Sequence, residues 1–261
     1  MTRVLITGAS SGIGRAVALE YAAPGASIVL LGRDAARLDA VAQECRAKGA
    51  QAETEVADVR DREGMKRIVE AADARAPLDL VIANAGVTSA LSTGLMMEDP
   101  DSVRGVLAIN LIGVFNTIEP AIPLMGARRS GQLAMVGSMA GVRGLPYCPS
   151  YCATKAALAS WAESIRGVLT PYGVNVALIA PGFVQTPMLE KAKSWQPGVM
   201  SDTRAAQIIK SGLDRRKAVI AFPGYVYYAL RFFTFLPPRL VDAVMRRFPV
   251  EAPQTHERDR V

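Results

Sequence analysis

Histidine and cysteine are scarce in this sequence, and their scarcity excludes several kinds of site. The 261 residues contain one histidine, His256, and three cysteines, Cys45, Cys148 and Cys152. A single histidine cannot build a histidine metal site, and three cysteines cannot form a framework of disulfides. We therefore predict neither a metal site nor a disulfide-stabilised scaffold.

Targeting and membrane-spanning segments are also missing from the pattern. The N-terminal apolar run at residues 4–6 is too short for the core of a signal peptide, and we expect no apolar run of the roughly 20 residues that a spanning helix needs. Half of the residues are hydrophobic and 21% are charged, a composition that excludes disorder. These features predict a soluble, cytoplasmic protein with one globular domain over residues 1–261.

Positive charge is concentrated near the C-terminus. The net charge is +6, and residues 204–250 hold nine Lys and Arg against only Asp214 and Asp242. Residues 222–250 are also rich in aromatic side chains. This aromatic and basic extension has three interpretations: a subunit interface, which we favour, a wall for a bulky apolar substrate, or a surface that docks on an anionic membrane. Nucleic-acid binding is not expected, because no recognition motif accompanies the basic residues.

Short apolar runs alternate with segments of helical spacing along the chain. The predicted strands are residues 3–7, 27–31, 50–56, 78–83, 132–137, 174–179 and 218–222. The predicted helices are residues 14–23, 35–48, 61–75, 102–125 and 150–170. This order predicts an α/β fold, a doubly wound parallel sheet of about seven strands with helices on both faces. Ligands of such sheets bind beyond the carboxyl ends of the strands.

A glycine-rich turn follows the first predicted strand. Gly8, Gly12 and Gly14 allow the backbone to turn tightly and to approach a pyrophosphate, and the next helix offers its free N–H groups to the phosphates. The other interpretation is a purely structural strand–helix turn. The position between a strand and a helix favours dinucleotide binding.

Three residues suggest acid–base chemistry. Tyr151 and Lys155 are four residues apart and share one face of a predicted helix. An ammonium near a phenol favours the phenolate, so we expect Lys155 to lower the pKa of Tyr151 and to make it a general acid or base. The same spacing alone is typical of a solvated helix face. Ser138, at the end of the fifth predicted strand, favours the catalytic hypothesis because its hydroxyl can hold a substrate oxygen.

Taken together, these motifs resemble those of the short-chain dehydrogenase/reductase (SDR) family, in its shorter single-domain branch. The matching stretches are residues 7–14, 58–59, 84–86, 110 with 113, 138, 151–155, and 181–182 with 186. The resemblance implies a Rossmann-fold, NAD(P)-binding oxidoreductase that transfers hydride between nicotinamide and a small carbonyl or secondary-alcohol substrate. It also implies a homo-oligomer, a dimer or a tetramer. The implied catalytic residues are Asn110, Ser138, Tyr151 and Lys155, with Asn110 holding a water that relays protons through Lys155.

The resemblance also implies which residues contact the cofactor. Asp58 is expected on the adenine amino group, residues 84–86 beside the ribose, and residues 181–186 on the nicotinamide. Ala83 stands where the commoner family form has a second asparagine. The implied cofactor-binding residues are Gly8, Ser10, Ser11, Gly12, Ile13, Gly14, Arg33, Asp58, Val59, Asn84, Ala85, Gly86, Tyr151, Lys155, Pro181, Gly182, Val184 and Thr186.

The end of the second strand favours NADP(H) over NAD(H). Gly32 occupies the position at which NAD-preferring relatives carry an aspartate, and Arg33 follows it. A guanidinium at this position can form a bidentate pair of hydrogen bonds with a 2′-phosphate. In the alternative interpretation, Arg33 is a solvated loop residue and Asp34 caps the next helix. Ser11 replaces the basic residue that some NADP-preferring relatives carry in the glycine turn.

A possible lid, a cysteine pair and the overall function each have more than one interpretation. Residues 188–203 are predicted to form a substrate lid. Cys148 and Cys152 flank Tyr151 and are interpreted as small packing residues, with a redox pair as the alternative. The functional alternatives to a soluble reductase are a peripheral membrane enzyme acting on a lipid-like ketone and a catalytically silent dinucleotide-binding sensor or assembly protein. The complete set of four catalytic residues favours an enzyme.

Overall fold

Seven parallel strands form the centre of the protein in a computed structural model that describes residues 2–89, 91, 95–190, 193–194, 198–245 and 250–251. The strands are β1 Arg3–Thr7, β2 Ser27–Gly32, β3 Gln51–Val56, β4 Leu80–Ala83, β5 Gly131–Val136, β6 Val174–Pro181 and β7 Val219–Phe222. Their order is β3-β2-β1-β4-β5-β6-β7. This confirms the predicted sheet. The strand order reverses between β1 and β4, so a crevice opens at their carboxyl ends.

Helices cover both faces of this sheet. They are α1 Gly12–Tyr21, α2 Ala35–Ala47, α3 Arg62–Arg75, α4 Pro100–Leu107, α5 Gly113–Ile118, α6 Ala121–Ala127, α7 Pro149–Leu169, α8 Pro187–Glu190, α9 Asp202–Asp214, α10 Gly224–Phe233 and α11 Pro238–Met245. A π-helical segment, Ala108–Ile112, joins α4 to α5. Most predicted boundaries lie within one or two residues of these, while α8 to α11 have no counterpart among the five predicted helices.

Alternate strand residues divide the core into two layers. Val4, Ile6 and Ile28 belong to one buried cluster, together with residues of α1, α2 and α9. Leu5 and Val29 belong to a second cluster, with residues of α3, α5, α6 and α7. Since both faces are covered, the inner strands have no polar face and are continuous apolar runs in the sequence. The edge strand β3 is the exception, with Gln51, Glu53 and Glu55.

One helical run passes the length and composition test for a membrane span, contrary to the sequence expectation. Pro100–Ala127 has 28 residues and a mean hydropathy of 1.5, and half of its apolar window is buried within the protein. Val114, Ile118 and Met125 of this run lie in the same buried cluster as strand residues. The run therefore packs on the sheet as a core helix, which explains its apolar composition.

Candidate active site

The glycine turn after β1 leaves no room for side chains. Gly8 and Gly12 have φ angles of +66° and +53°, in the left-handed region that favours glycine. A Cβ on Gly8 would lie 2.8 Å from the Cα of Ala85, and a Cβ on Gly14 would collide with the carbonyl oxygen of Gly8. Gly8 and Gly14 are thus required by close approaches within the turn and between the ends of β1 and β4, and Gly12 by its left-handed φ angle.

Asn84 holds this turn in place. Its side-chain amide donates to the carbonyl oxygens of Thr7 at 2.9 Å and of Gly8 at 3.2 Å. The hydroxyl of Thr7 in turn accepts the backbone N–H groups of Asn84 and Ala85. The resemblance places Asn84 beside the cofactor ribose. In the structure, its side-chain amide binds the backbone of the glycine turn.

The start of α1 has no side-chain cap, unlike the starts of α2, α3, α4 and α9. Asp34, Asp61, Asp99 and Ser201 each accept a backbone N–H at the start of α2, α3, α4 and α9. Ser11, the residue at the start of α1, makes no side-chain capping hydrogen bond. Free N–H groups at a helix start favour an anion. The glycine cradle and this uncapped helix fit the pyrophosphate of a dinucleotide.

At the adenosine end, Gly32 lies next to Ser10. A Cβ on Gly32 would lie 3.5 Å from the Ser10 hydroxyl oxygen, so these two residues share one small space. Arg33, which follows Gly32, is exposed and makes no hydrogen bond or ion pair with any residue in the described ranges. Asp34 caps α2 through the N–H of Arg37, as the alternative interpretation expects.

Asp58 has a partner that the sequence analysis missed. The guanidinium of Arg60 contacts both carboxylate oxygens of Asp58, and its backbone N–H donates to the same group at 2.9 Å. This hydrogen bonding is the main reason why the pKa of Asp58 is held below its ordinary value, with a smaller contribution from Arg33. The carboxylate expected on the adenine amino group is therefore already bound to Arg60, and nothing in its local sequence indicated this contact. Val59, next to it, is buried.

Ser138, Tyr151 and Lys155 come together at the carboxyl end of β5. Ser138 follows the strand, and Tyr151 and Lys155 lie on successive turns of α7. The Ser138 hydroxyl acts on the Tyr151 phenol and by itself would lower the pKa of Tyr151. The Nζ of Lys155 lies 5.5 Å from the centre of the Tyr151 ring and donates to the carbonyl oxygen of Val136 at 2.8 Å. The predicted cluster is thus assembled by the fold.

The expected lowering of the Tyr151 pKa is wrong for the protein without a dinucleotide. Burial raises the pKa of Tyr151 to about 12, and the hydrogen bond with Ser138 opposes this shift only in part. Burial also lowers the pKa of Lys155 to about 8. The physical reason is that desolvation disfavours the charged form of each group.

Asn110 lies at the irregular point of the long crossover. It is fully buried in the π-helical segment, a feature that often marks functional sites. Its side chain makes a reciprocal pair with Val87, accepting the N–H and donating to the carbonyl oxygen, both at 2.8 Å. A Cβ on Gly86 would lie 3.3 Å from Asn110 Oδ1 and 3.7 Å from Lys155 Nζ. Asn110 therefore fixes the loop after β4 beside Lys155.

The segment after β6 closes over the glycine turn. The methyl group of Thr186 would lie 3.2 Å from a Cβ on Gly12. Pro181 and Val184 are buried, and Gly182 packs near Met139, the residue that follows Ser138. The residues expected on the nicotinamide thus lie between the glycine turn and the cluster of Ser138, Tyr151 and Lys155. Ser10, Ser11 and Ile13 are half-buried within the same cleft.

A buried carboxylate behind Tyr151 was not predicted. Glu98 accepts the backbone N–H of Ser150 at 2.8 Å and the hydroxyl groups of Ser150 and Ser89. All three residues are buried. Glu98 thereby ties the start of α7 to the loop after β4. A glutamate in a predicted loop carries no signal of such a contact.

The C-terminal helices place aromatic side chains on the surface. Tyr225, Tyr228, Phe232 and Phe235 lie on one side of α10 and just beyond it, with exposed fractions between 60 and 80%. The opposite side of α10 contributes to a groove of about 300 Å³ that is also lined by Ser138. Residues 246–249 of the aromatic and basic extension, residues 191–192 and 195–197 of the predicted lid, and His256 lie outside the described residues.

The rest of the predicted lid is attached to the segment after β6. The N–H of Met200 donates to the carbonyl oxygen of Phe183, and the N–H of Gln185 donates back to Met200. Gly198 lies close to Pro223 and Tyr225, next to α10.

Within the described ranges, no group of three or more His, Cys, Asp or Glu residues is arranged to hold a metal.

Comparisons with known proteins agree with this architecture. A family model described as short chain dehydrogenase matches residues 2–197. An uncharacterised oxidoreductase of Myxococcus xanthus is 36% identical, over 93% of this chain and 96% of its own length. A 3-oxoacyl-[acyl-carrier-protein] reductase of Thermotoga maritima is 34% identical, over 72% of this chain and 76% of its own.

Solved structures are similar over most or all of the chain. A short-chain dehydrogenase from Sphingobium yanoikuyae in complex with NADPH has a TM-score of 0.79 and 26% identity, with all of both chains covered. A 3-oxoacyl-[acyl-carrier protein] reductase from Brucella melitensis with bound NAD has a TM-score of 0.74 and 26% identity, over 85% and 89% of the two chains. The chain belongs to the short-chain dehydrogenase family of NAD(P)-binding oxidoreductases.

Proposed function

We propose that this protein is an NADPH-dependent reductase of a ketone, with Tyr151 as the proton donor. The observation that carries the proposal is the cluster of Ser138, Tyr151 and Lys155 at the end of β5, next to the glycine cradle. The dinucleotide, when bound, supplies the hydride. The protein positions the carbonyl and controls the proton.

Each member of the cluster has a separate task. The Ser138 hydroxyl holds the carbonyl oxygen, and the Tyr151 phenol donates its proton as negative charge develops there. Tyr151 is protonated at neutral pH because its pKa is about 12 in the free protein, which is the form that a proton donor needs. Lys155, held by Val136, stabilises the phenolate that remains. Asn110 orders the loop beside Lys155 and holds the water that returns the proton.

Arg33 is proposed to select NADPH through its 2′-phosphate. Arg33→Ala is expected to weaken NADPH binding by about ten- to a hundredfold, since a charge-assisted bond to phosphate is lost, and to change NADH binding little. Fluorescence titration with each dinucleotide measures this. Arg67→Ala, which removes an exposed arginine from α3, is the matched control for lost charge. Equal losses for both dinucleotides would remove the basis for the NADPH preference.

The class of ketone is proposed from the relatives. Two of them are named for 3-oxoacyl substrates, so we propose a 3-oxoacyl thioester or a similarly long apolar ketone. The direct test is the rate of NADPH oxidation with a series of 3-oxoacyl thioesters of increasing chain length, compared with short ketones. Turnover confined to short ketones would reject this substrate class. Dinucleotide binding without turnover of any carbonyl would support the silent sensor instead.

We propose that the exposed aromatic side of α10 is a subunit interface of a homo-oligomer. Phe232→Arg is expected to convert the oligomer into smaller species, because it places a charge within an apolar contact. Light scattering coupled to size exclusion measures the mass. Tyr172→Arg, at another exposed aromatic, is the control. A wild-type monomer that sediments with anionic vesicles would favour the membrane-docking alternative.

The cytoplasmic location of the protein stays a prediction.

A further inference from the structure

Two thiols lie next to each other in the first turn of α7, on either side of Tyr151. The sulfur atoms of Cys148 and Cys152 are 3.6 Å apart. The backbone N–H of Cys152 donates to the carbonyl oxygen of Cys148 at 3.0 Å, so both side chains lie on the same side of the turn. The third cysteine, Cys45, is fully buried in the opposite layer of the core.

The separation of the two residues is compatible with a disulfide. Residues four apart in a helical turn have Cα atoms about 6 Å apart, within the range of about 4.4–6.8 Å that disulfides require. The sulfur atoms must approach by about 1.5 Å to reach the bond length of roughly 2.05 Å. Cys148 is the residue before the helix and has non-helical φ and ψ angles of −143° and 60°, so the chain can adjust there.

The surroundings of the pair shift the pKa values of the two thiols in opposite directions. The hydrogen bond with Cys148 holds the pKa of Cys152 below its ordinary value, against burial and the charge of Glu98. The backbone N–H of Leu145, which donates to Cys152 Sγ at 3.3 Å, contributes to the same lowering. The pKa of Cys148 is raised by the same pair, by burial and by Glu98. A thiolate is the form that reacts with oxidants.

We propose that Cys148 and Cys152 are a modification site, at which a hydroperoxide reversibly forms a disulfide that stops turnover. The Cys152 thiolate attacks one peroxide oxygen, which breaks the O–O bond, forms a sulfenic acid and releases hydroxide. That hydroxide takes the proton of Cys148. The Cys148 thiolate then attacks the sulfenic sulfur and releases a second hydroxide, which takes up the proton that Cys152 had lost. The two thiols are oxidised by two electrons, and hydrogen peroxide is reduced to two waters.

The disulfide would act on catalysis through the position of Tyr151. Drawing the two sulfurs together would deform the turn of α7 that carries Tyr151, and would therefore shift Tyr151 relative to Ser138. A misplacement of about 1 Å can lower a rate by about a hundredfold. The inhibition rests on the proposed role of Tyr151, whereas the formation of the disulfide does not.

The test is treatment of the reduced, full-length protein with hydrogen peroxide. We expect the mass to fall by two hydrogen atoms, peptide mapping to show a bond between Cys148 and Cys152, and Cys45 to keep its thiol. NADPH oxidation should fall by about a hundredfold and return after dithiothreitol. Cys148→Ser and Cys152→Ser should keep their activity in peroxide, whereas Cys45→Ala should remain sensitive.

Two outcomes would overturn the proposal. One is peroxide treatment that leaves Cys148 and Cys152 unbonded, and the other is a disulfide that forms without loss of turnover. Tyr151→Phe separates this test from the proposed function, since that variant should form the same disulfide whether or not Tyr151 is the proton donor. If the protein reduces no ketone, mass and peptide mapping still decide whether the pair is a modification site.

Discussion

Tyr151→Phe is expected to lower kcat for ketone reduction by about a thousandfold, the usual contribution of a positioned general acid, while NADPH binds with nearly unchanged affinity. The change removes one oxygen atom and keeps the ring that packs below Lys155. Because Ser138 and the cofactor cradle are left in place, the loss should fall on kcat rather than on dinucleotide binding. Steady-state kinetics and fluorescence titration of NADPH measure the two effects separately.

Tyr147→Phe is the matched control for this experiment. Tyr147 lies four residues before Tyr151 and holds the loop at Leu91 through its backbone carbonyl, which the substitution keeps. We expect its kcat to stay close to that of the wild type. Full activity of the Tyr151 variant, or an equal loss in both, would show that Tyr151 does not donate the proton.

Lys155→Met is expected to abolish turnover and yet to stabilise the folded protein. Burial holds the pKa of Lys155 at about 8 instead of 10.5, which corresponds to a cost of about 3 kcal/mol for the charged form at neutral pH. The variant leaves the carbonyl oxygen of Val136 without its donor, at a cost of about 1–3 kcal/mol. The free energy of unfolding should therefore rise by about 1 kcal/mol at pH 7. If Lys155 instead stabilises the fold, the free energy of unfolding of the variant should be lower than that of the wild type.

The pH dependence of this stability difference provides a second test. The pKa of Lys155 in the folded protein, about 8, lies below its ordinary value of 10.5, so the unfolded chain binds more protons between these two pH values. The advantage of the variant should be full below pH 8 and should become a deficit of about 1–3 kcal/mol as the pH rises toward 10.5, because the charge penalty is then gone while the carbonyl oxygen of Val136 still lacks its donor. Urea unfolding of wild type and variant at pH 7 and pH 10 measures it. A difference that stays constant with pH would mean that Lys155 is not the group that titrates.

Strand and helix order followed from local spacing, and this is the part of the fold that sequence reasoning predicted well. Residues 3–7 were predicted as a strand with both boundaries correct, because an apolar run bounded by a glycine turn is a local signal. The long crossover was predicted as one helix and is interrupted at Ala108–Ile112. The π-helical segment carries Asn110, which binds the backbone of Val87 in the loop after β4. Local spacing does not predict a contact between residues so far apart in the sequence.

The family, the parallel sheet and the residues that meet at the carboxyl ends of its strands could be predicted from the sequence, because periodicity and motif order are properties of neighbouring residues. How those residues are held and charged could not be predicted in this way. Asn84 binds Thr7, 77 positions away, and Glu98 binds Ser150, 52 positions away. The raised pKa of Tyr151 and the lowered pKa of Lys155 depend on burial. Burial and contacts between distant residues arise only when the chain is folded, and they turn a motif into a site with defined chemistry.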